Sequence, residues 1–226
     1  MPALDYFFKL LRAAPAGAVF NPWHQRDSEH DALRTAPGVR RAQLRAYLEE
    51  RRQARIILLA EALGYQGGHF TGIPMTSERL LLGHLRSQGL EPDMVFSGPA
   101  RRTSRENLKP DGFTEPTCTV VWKSMCEAGL DPRAVILWNA FPWHPYKPEK
   151  GMLSNRTPTD AEMAQGRPLL EVLRDYAAGA AVLAVGRKSG RLLADMGVTA
   201  GVLRHPANGG ASLFRAQFFR AANRLL

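Results

Sequence analysis

Arg55-Ile56-Ile57-Leu58-Leu59-Ala60-Glu61-Ala62-Leu63-Gly64-Tyr65-Gln66-Gly67-Gly68 is the stretch on which the fold turns. A short run of large apolar residues, Ile56–Ala62, closes on a carboxylate and then on glycines. Its length and its Ile and Leu content predict a strand buried on both faces. The loop that follows runs Gly64-Tyr65-Gln66-Gly67-Gly68-His69-Phe70-Thr71-Gly72.

Similar runs recur along the chain. Ala134–Ala140 (AVILWNA) and Ala180–Gly186 (AAVLAVG) read as strands, Met94–Ser97 as a short one, and Thr199–Arg204 as the last. Between them lie segments of helical pattern. Residues 38–53 place Val39, Leu44, Tyr47 and Leu48 on or near one face. After Pro74, Thr76 or Ser77 is a candidate cap for a helix reaching about Arg86. A helix to about Met196 follows the 180–186 strand, and Ser212–Arg224 reads as the closing helix. Strands alternating with helices predict an α/β fold with a central, mostly parallel sheet of four to five strands flanked by helices. One domain over residues 1–226 is expected, with residues 1–54 as a helical part packing on the core.

Parallel strands joined by crossovers end on one edge, where open α/β sheets bind ligands. Glu61 with its glycine loop, Asn139 and His205 all fall at or just past such ends. Each has a plain structural reading: a solvated turn carboxylate, an amide bonded to its own loop, a histidine at a strand end. Each also has a chemical one. Asn139 presents a donor and an acceptor to a base edge. His205, in His205-Pro206-Ala207-Asn208-Gly209-Gly210, is poised to donate to a leaving group that gathers charge.

Lys and Arg total 30 against 21 Asp and Glu, a net charge of +9. That excess suggests a polyanionic partner, the alternative being a basic protein with no nucleic-acid role. Arg40, Arg41, Arg45, Arg51, Arg52 and Arg55 cluster early, and Arg101, Arg102 and Arg105 later. Two cysteines, Cys118 and Cys126, make neither a zinc site alone nor an iron–sulfur cluster, and a reducing cytoplasm fits. His24, His30, His69, His84 and His144 show no metal spacing and read as surface or packing residues. The apolar run near the N-terminus is too short to span a membrane.

From about Arg55 onward the sequence resembles the uracil-DNA glycosylase superfamily. Ala60-Glu61-Ala62-Leu63-Gly64 is similar to the Gly-Glu-Ala-Pro-Gly segment of its bacterial iron–sulfur branch, and Thr71-Gly72-Ile73-Pro74-Met75 to the Thr-Gly-Val-Pro-Phe of its single-strand-selective branch. Asn139 matches the uracil-reading Asn. Asn155-Arg156-Thr157-Pro158-Thr159-Asp160-Ala161-Glu162 is similar to an Asn-Arg-x-Pro-x-x-x-Glu pattern, and His205-Pro206 to the His-Pro-Ser loop. There are departures. Leu63 replaces a Pro, Met75 a stacking Phe, and Ala62 an Asp or Asn, while Gly64 stands where one branch has a thymine-excluding Tyr. No Leu or Arg wedge occupies the loop after His205, and the four-cysteine cluster is missing.

The resemblance implies a monofunctional glycosylase that flips uracil out of DNA and hydrolyses its N-glycosidic bond. Glu61 and His205 would be catalytic. Ala62, Gly64, Tyr65, Phe70, Met75 and Asn139 would contact the base, and Arg156, Arg204, Pro206, Ala207, Asn208, Gly209 and Gly210 the DNA. It implies no cofactor or metal, no membrane, a cytoplasmic monomer, uracil-containing DNA as partner and uracil as product. The alternatives are a non-catalytic binder of uracil-containing or abasic DNA, and an enzyme acting on free nucleosides or nucleotides.

Overall fold

The computed structural model describes residues 3–225. Four strands form one parallel sheet: β2 (Ile56–Ala62), β3 (Val135–Phe141), β5 (Ala181–Val185) and β6 (Gly201–Leu203), in the order β3-β2-β5-β6. A two-stranded antiparallel pair stands apart, β1 (Val19–Phe20) against β4 (His144–Pro145). The helices are α1 (Ala3–Leu10), α2 (Ala36–Glu49), α3 (Gly68–Thr71), α4 (Glu78–Leu81), α5 (Pro116–Glu127), α6 (Asp160–Gln165), α7 (Arg167–Tyr176), α8 (Arg187–Asp195) and α9 (Ala211–Leu225).

The sheet explains the apolar runs. β2 is paired along both edges, by β3 and β5, and Ile56–Ala60, whose side chains alternate between its two faces, are all buried. Every residue of β3 is buried. Burial fades at the β6 edge, where Val202 is exposed. Trp138 packs on Phe7 of α1 and stacks on Trp23, which fixes the N-terminal helix to the sheet. Side chains of this size contribute roughly 1.5–3 kcal/mol each on burial.

Two expected elements differ. Met94–Ser97 is not a strand. Residues Pro92–Met94 form a 3-10 turn, and Val95 and Phe96 are buried without a β partner. Its carbonyls are met by a side chain instead. The fully buried Arg51 donates to the carbonyls of Met94 and Val95, and to those of Tyr47 and Val135. The helix capped by Ser77 ends at Leu81 rather than near Arg86. Gly83, at φ 82°, turns the chain out of the helix.

The early arginine cluster also divides. Arg40, fully buried, pairs with the buried Asp31 and donates to the carbonyl of Pro22. Arg40 and Arg51 are therefore part of the scaffold, not of a phosphate-binding face.

Candidate active site

The carboxyl ends of β2 and β6 face a common cleft. Glu61 and Ala62, half-buried at the end of β2, line it together with Leu63, Asn155, Arg156, Arg204, His205, Ala207 and Asn208; its volume is about 440 Å³. An adjoining hollow of about 580 Å³ is also bordered by Glu61 and His205, with Lys188, Arg204 and Leu213 on its rim. Two residues 144 positions apart are thus brought to one opening by the parallel order of the sheet.

Burial raises the Glu61 carboxyl above its ordinary range, and the nearby Lys188 ammonium partly offsets that rise. His205 is shifted down, by burial first and by Arg204 second. Its tautomer follows from a backbone contact. The Ala207 N–H lies 3.1 Å from Nδ1 of His205, and an amide N–H only donates. Nδ1 therefore accepts, and the neutral ring carries its proton on Nε2. The loop geometry depends on its small residues. Asn208 and Gly209 have φ of 52° and 73°, and a Cβ on Gly210 would collide with the His205 carbonyl.

Asn139 sits in β3 opposite Ala60 of β2. It is buried, and neither Oδ1 nor Nδ2 has a hydrogen-bond partner. Such an amide is costly unless water or a ligand meets it, because buried polar groups are nearly always paired.

The glycine loop and α3 carry the remaining expected contacts. Tyr65 is half-buried, with its ring roughly parallel to that of His144. Phe70 is fully buried and stacks on Phe113 with centroids 4.1 Å apart. Met75 is 5% exposed with φ 51°, an unusual conformation for a side-chain-bearing residue, and its carbonyl accepts from Trp122 Nε1. Phe70 and Met75 thus face the interior rather than the open cleft. Gly64 lies against the carboxyl of Glu115.

Around Arg156 the structure explains the surrounding motif. Its guanidinium grips both carboxylate oxygens of Glu162, at 2.6 and 2.8 Å, and donates to the Ala18 carbonyl. The arginine fork holds the Glu162 carboxyl down at about 2. Glu162 also closes a capping box with Thr159 at the start of α6. Arg204 and Ala207 to Gly209 are exposed at the mouth of the cleft, while Pro206 and Gly210 are buried.

A family model for the uracil-DNA glycosylase superfamily matches residues 48–226. The chain belongs to the uracil-DNA glycosylase superfamily. No curated protein sequence matches it. Its structure is similar to the crystal structure of wild-type Pedobacter heparinus SMUG2, with a TM-score of 0.60 and 13% sequence identity, over 99% of this chain and 97% of that one. At that identity the likeness concerns the fold.

Within this superfamily scaffold, several residues escape a reading of the sequence. Glu115 precedes α5 as an ordinary helix-start acid would. Yet its side chain makes no cap bond and turns under the glycine loop. Thr117 donates to its Oε1 at 2.5 Å, its Oε2 is buried without a partner, and burial pushes its carboxyl up. Lys188, in the first turn of α8, also escapes a reading of the sequence, and it faces Glu61 across the adjoining hollow. The histidines His69 and His144 are packing residues, fully buried, and they meet Asp27 in one hydrogen-bonded cluster. Among the described residues no group of His, Cys, Asp and Glu is arranged to hold a metal, and no helix is long and apolar enough to cross a membrane.

Proposed function

We propose that this member of the superfamily is a monofunctional DNA glycosylase that excises uracil. The observation that carries the reading is the Asn139 amide, buried within the last half of β3 with both polar atoms unpartnered. Such an amide suits the N3–H and O4 edge of uracil, accepting from one and donating to the other.

In this reading the flipped base enters beside the ends of β2 and β3, at an unstacking cost of a few kcal/mol. Gly64 and Tyr65 border the base, with Ala62 at the rim of the cleft, while the buried Phe70 and Met75 support the loop from the interior. The bond between the sugar C1′ and N1 breaks, and its electron pair leaves with the uracil ring. Nε2–H of the neutral His205 donates to the uracil oxygen that gathers the charge. The Glu61 carboxylate steadies the cationic sugar and takes a proton from the water that adds to C1′. No Lys occupies a position of the motifs that would form a Schiff base on that carbon, so strand cleavage by the protein itself is not part of the scheme. Arg156, Arg204 and residues 206–210 lie against the DNA strand, and the net positive charge makes its affinity salt-sensitive. The protein acts as a cytoplasmic monomer without a cofactor.

The test is alkali-induced cleavage of end-labelled oligonucleotides carrying one uracil, single-stranded or opposite G or A. Cleavage at uracil and not at thymine, lost in His205→Ala, supports the reading. Ala62, standing where branches of the family carry Asp or Asn, favours one competitor: a binder without chemistry. That competitor predicts retarded uracil or abasic DNA on a gel and no free uracil.

A further inference from the structure

Behind the glycine loop three hydrogen bonds run in series through two buried rings. Asp27 Oδ2 lies 3.0 Å from His69 Nε2. His69 Nδ1 lies 3.1 Å from His144 Nδ1. His144 Nε2 lies 2.8 Å from the Ser154 carbonyl. Both rings are fully buried, and the carboxylate of Asp27 nearly so.

Counting protons in this series gives a constraint. Each hydrogen bond needs one proton. A neutral imidazole brings one, so two neutral rings bring two for three bonds. The Ser154 carbonyl can only accept, so His144 Nε2 must carry a proton. The Asp27 carboxylate likewise calls for one on His69 Nε2. With both rings neutral, the two Nδ1 atoms would then face each other with lone pairs only, at hydrogen-bond distance. Moving a proton to one Nδ1 merely transfers the conflict to an end of the series.

We propose that the Asp27–His69–His144–Ser154 series holds a third proton at neutral pH, as an imidazolium paired with the Asp27 carboxylate, and that His69 and His144 are positioning residues for the cleft. Burial lowers His69 to about 3 even with the Asp27 hydrogen bond and charge opposing it, and lowers His144 to about 4 against the Ser154 carbonyl and Asp27, so the third proton is required by the hydrogen-bond count and not by the electrostatics. The pair of imidazolium and carboxylate carries no net charge, which is what a buried cluster tolerates.

The groups facing the series come from every packed element. Asp27 also accepts from Nδ1 of His30 at 2.8 Å, and its backbone N–H donates to Asp31. Arg40 of α2 acts on His69 from one side, and Phe20 of β1 stacks on that ring at 4.4 Å. His144 of β4 feels Asn155 and Arg156, and the rings of Tyr65 and Tyr146 lie 6.5 and 6.2 Å away. The series therefore ties together the segment before α2, the helix that closes the glycine loop, and the strand leading to Asn155 and Arg156. Of these, Pro145 beside His144 and the following Asn155 and Arg156 line the cleft, so the consequence for catalysis rests on the glycosylase reading, whereas the proton count does not.

The test is nitrogen-15 NMR of the full chain labelled at its six histidines. At about pH 8 an ordinary histidine, with a pKa near 6.5, is more than nine-tenths neutral. One doubly protonated ring should persist there, assigned to His69 or His144 by its loss in H69Q or H144Q. It should become neutral as the pH is raised further. In Asp27→Asn, which lacks the counter-charge, the same ring should already be neutral at about pH 8. Six neutral rings in the wild-type protein at that pH would overturn the proposal, with no variant needed. The positioning role is read separately from the pH profile of uracil release. Its alkaline limb should move to lower pH in Asp27→Asn, and an unmoved limb removes the link to the cleft.

Discussion

The carboxyl of Glu115 occupies the space that a side chain on Gly67 would fill, and it lies 3.3 Å from where a Cβ on Gly64 would stand. Gly67, the residue before α3, has φ −117°, so its smallness answers to a close approach and not to a left-handed backbone. Two glycines of the loop thus make room for one acid that is remote in sequence.

It follows that Gly67→Ala should be costly. Overpacking of this kind is worth roughly 1–3 kcal/mol, read as a shift of the urea midpoint at constant slope. Glu115→Ala should relieve most of that cost in the double variant. Additive losses would mean that the two residues do not meet in solution.

Asn139→Leu separates stability from activity. The amide has no partner in the fold, so replacing it by an apolar group of similar size should leave the melting temperature unchanged or raise it, by the equivalent of about 1 kcal/mol. Uracil release should fall about a hundredfold or more, the range expected when a group that orients the base is lost. A large loss of stability would instead identify Asn139 as a structural residue.

The pH dependence of kcat/KM should show an acid limb set by Glu61, which must be ionised to act. Burial raises this carboxyl, so the limb lies above the ordinary carboxylate range. Lys188 pulls it down, so Lys188→Met should move the limb further upward. His205 is shifted down, so its ring stays neutral at a lower pH than an unperturbed histidine and should not add a limb of its own near pH 6.5. A rate profile of both proteins over the acid range decides this.

Arg156 and Glu162 form a two-pronged pair at the edge of solvent, and Arg156→Gln should destabilise the fold by about 1 kcal/mol at neutral pH. The Glu162 carboxyl is held at about 2, below its ordinary 4.5. A depressed carboxyl contributes its stability above the unfolded value and loses it as the pH falls toward the folded one. The difference between the two proteins should therefore be full above about pH 5 and should fade toward pH 2, as measured by denaturant melts across that range.

Arg40 and Asp31 make the opposite case, a pair wholly removed from water. Arg40→Met would leave the Asp31 carboxylate buried without its counter-ion, at a cost of roughly 3–5 kcal/mol. Recovery of much of that loss in the Arg40→Met, Asp31→Leu double variant would confirm that the penalty is the stranded charge.

The four strands of the sheet, and the stretches that carry Glu61, Asn139 and His205, are legible in the amino-acid order. The reason is periodicity. β2, β3 and β5 are buried on both faces, so their residues read as unbroken apolar runs, and a parallel arrangement sends their carboxyl ends to one edge. The same local signal misled at Met94–Ser97, because an apolar run shows that a segment is buried but not what meets its carbonyls; there Arg51, not a neighbouring strand, does so. The helix after Ser77 is shorter than its pattern predicts, because its capping residue is visible in the sequence while its early end depends on the turn at Gly83. The folded molecule alone reveals that Arg40 and Arg51 are interior residues, that Phe70 stacks on Phe113, that Glu115 lies beneath the glycine loop, and that His69 meets His144 and Asp27. Each of these depends on contacts between segments far apart in the chain. Composition and spacing do not encode such contacts, because whether a charged or aromatic side chain faces water or the core is set by what the rest of the fold packs against it.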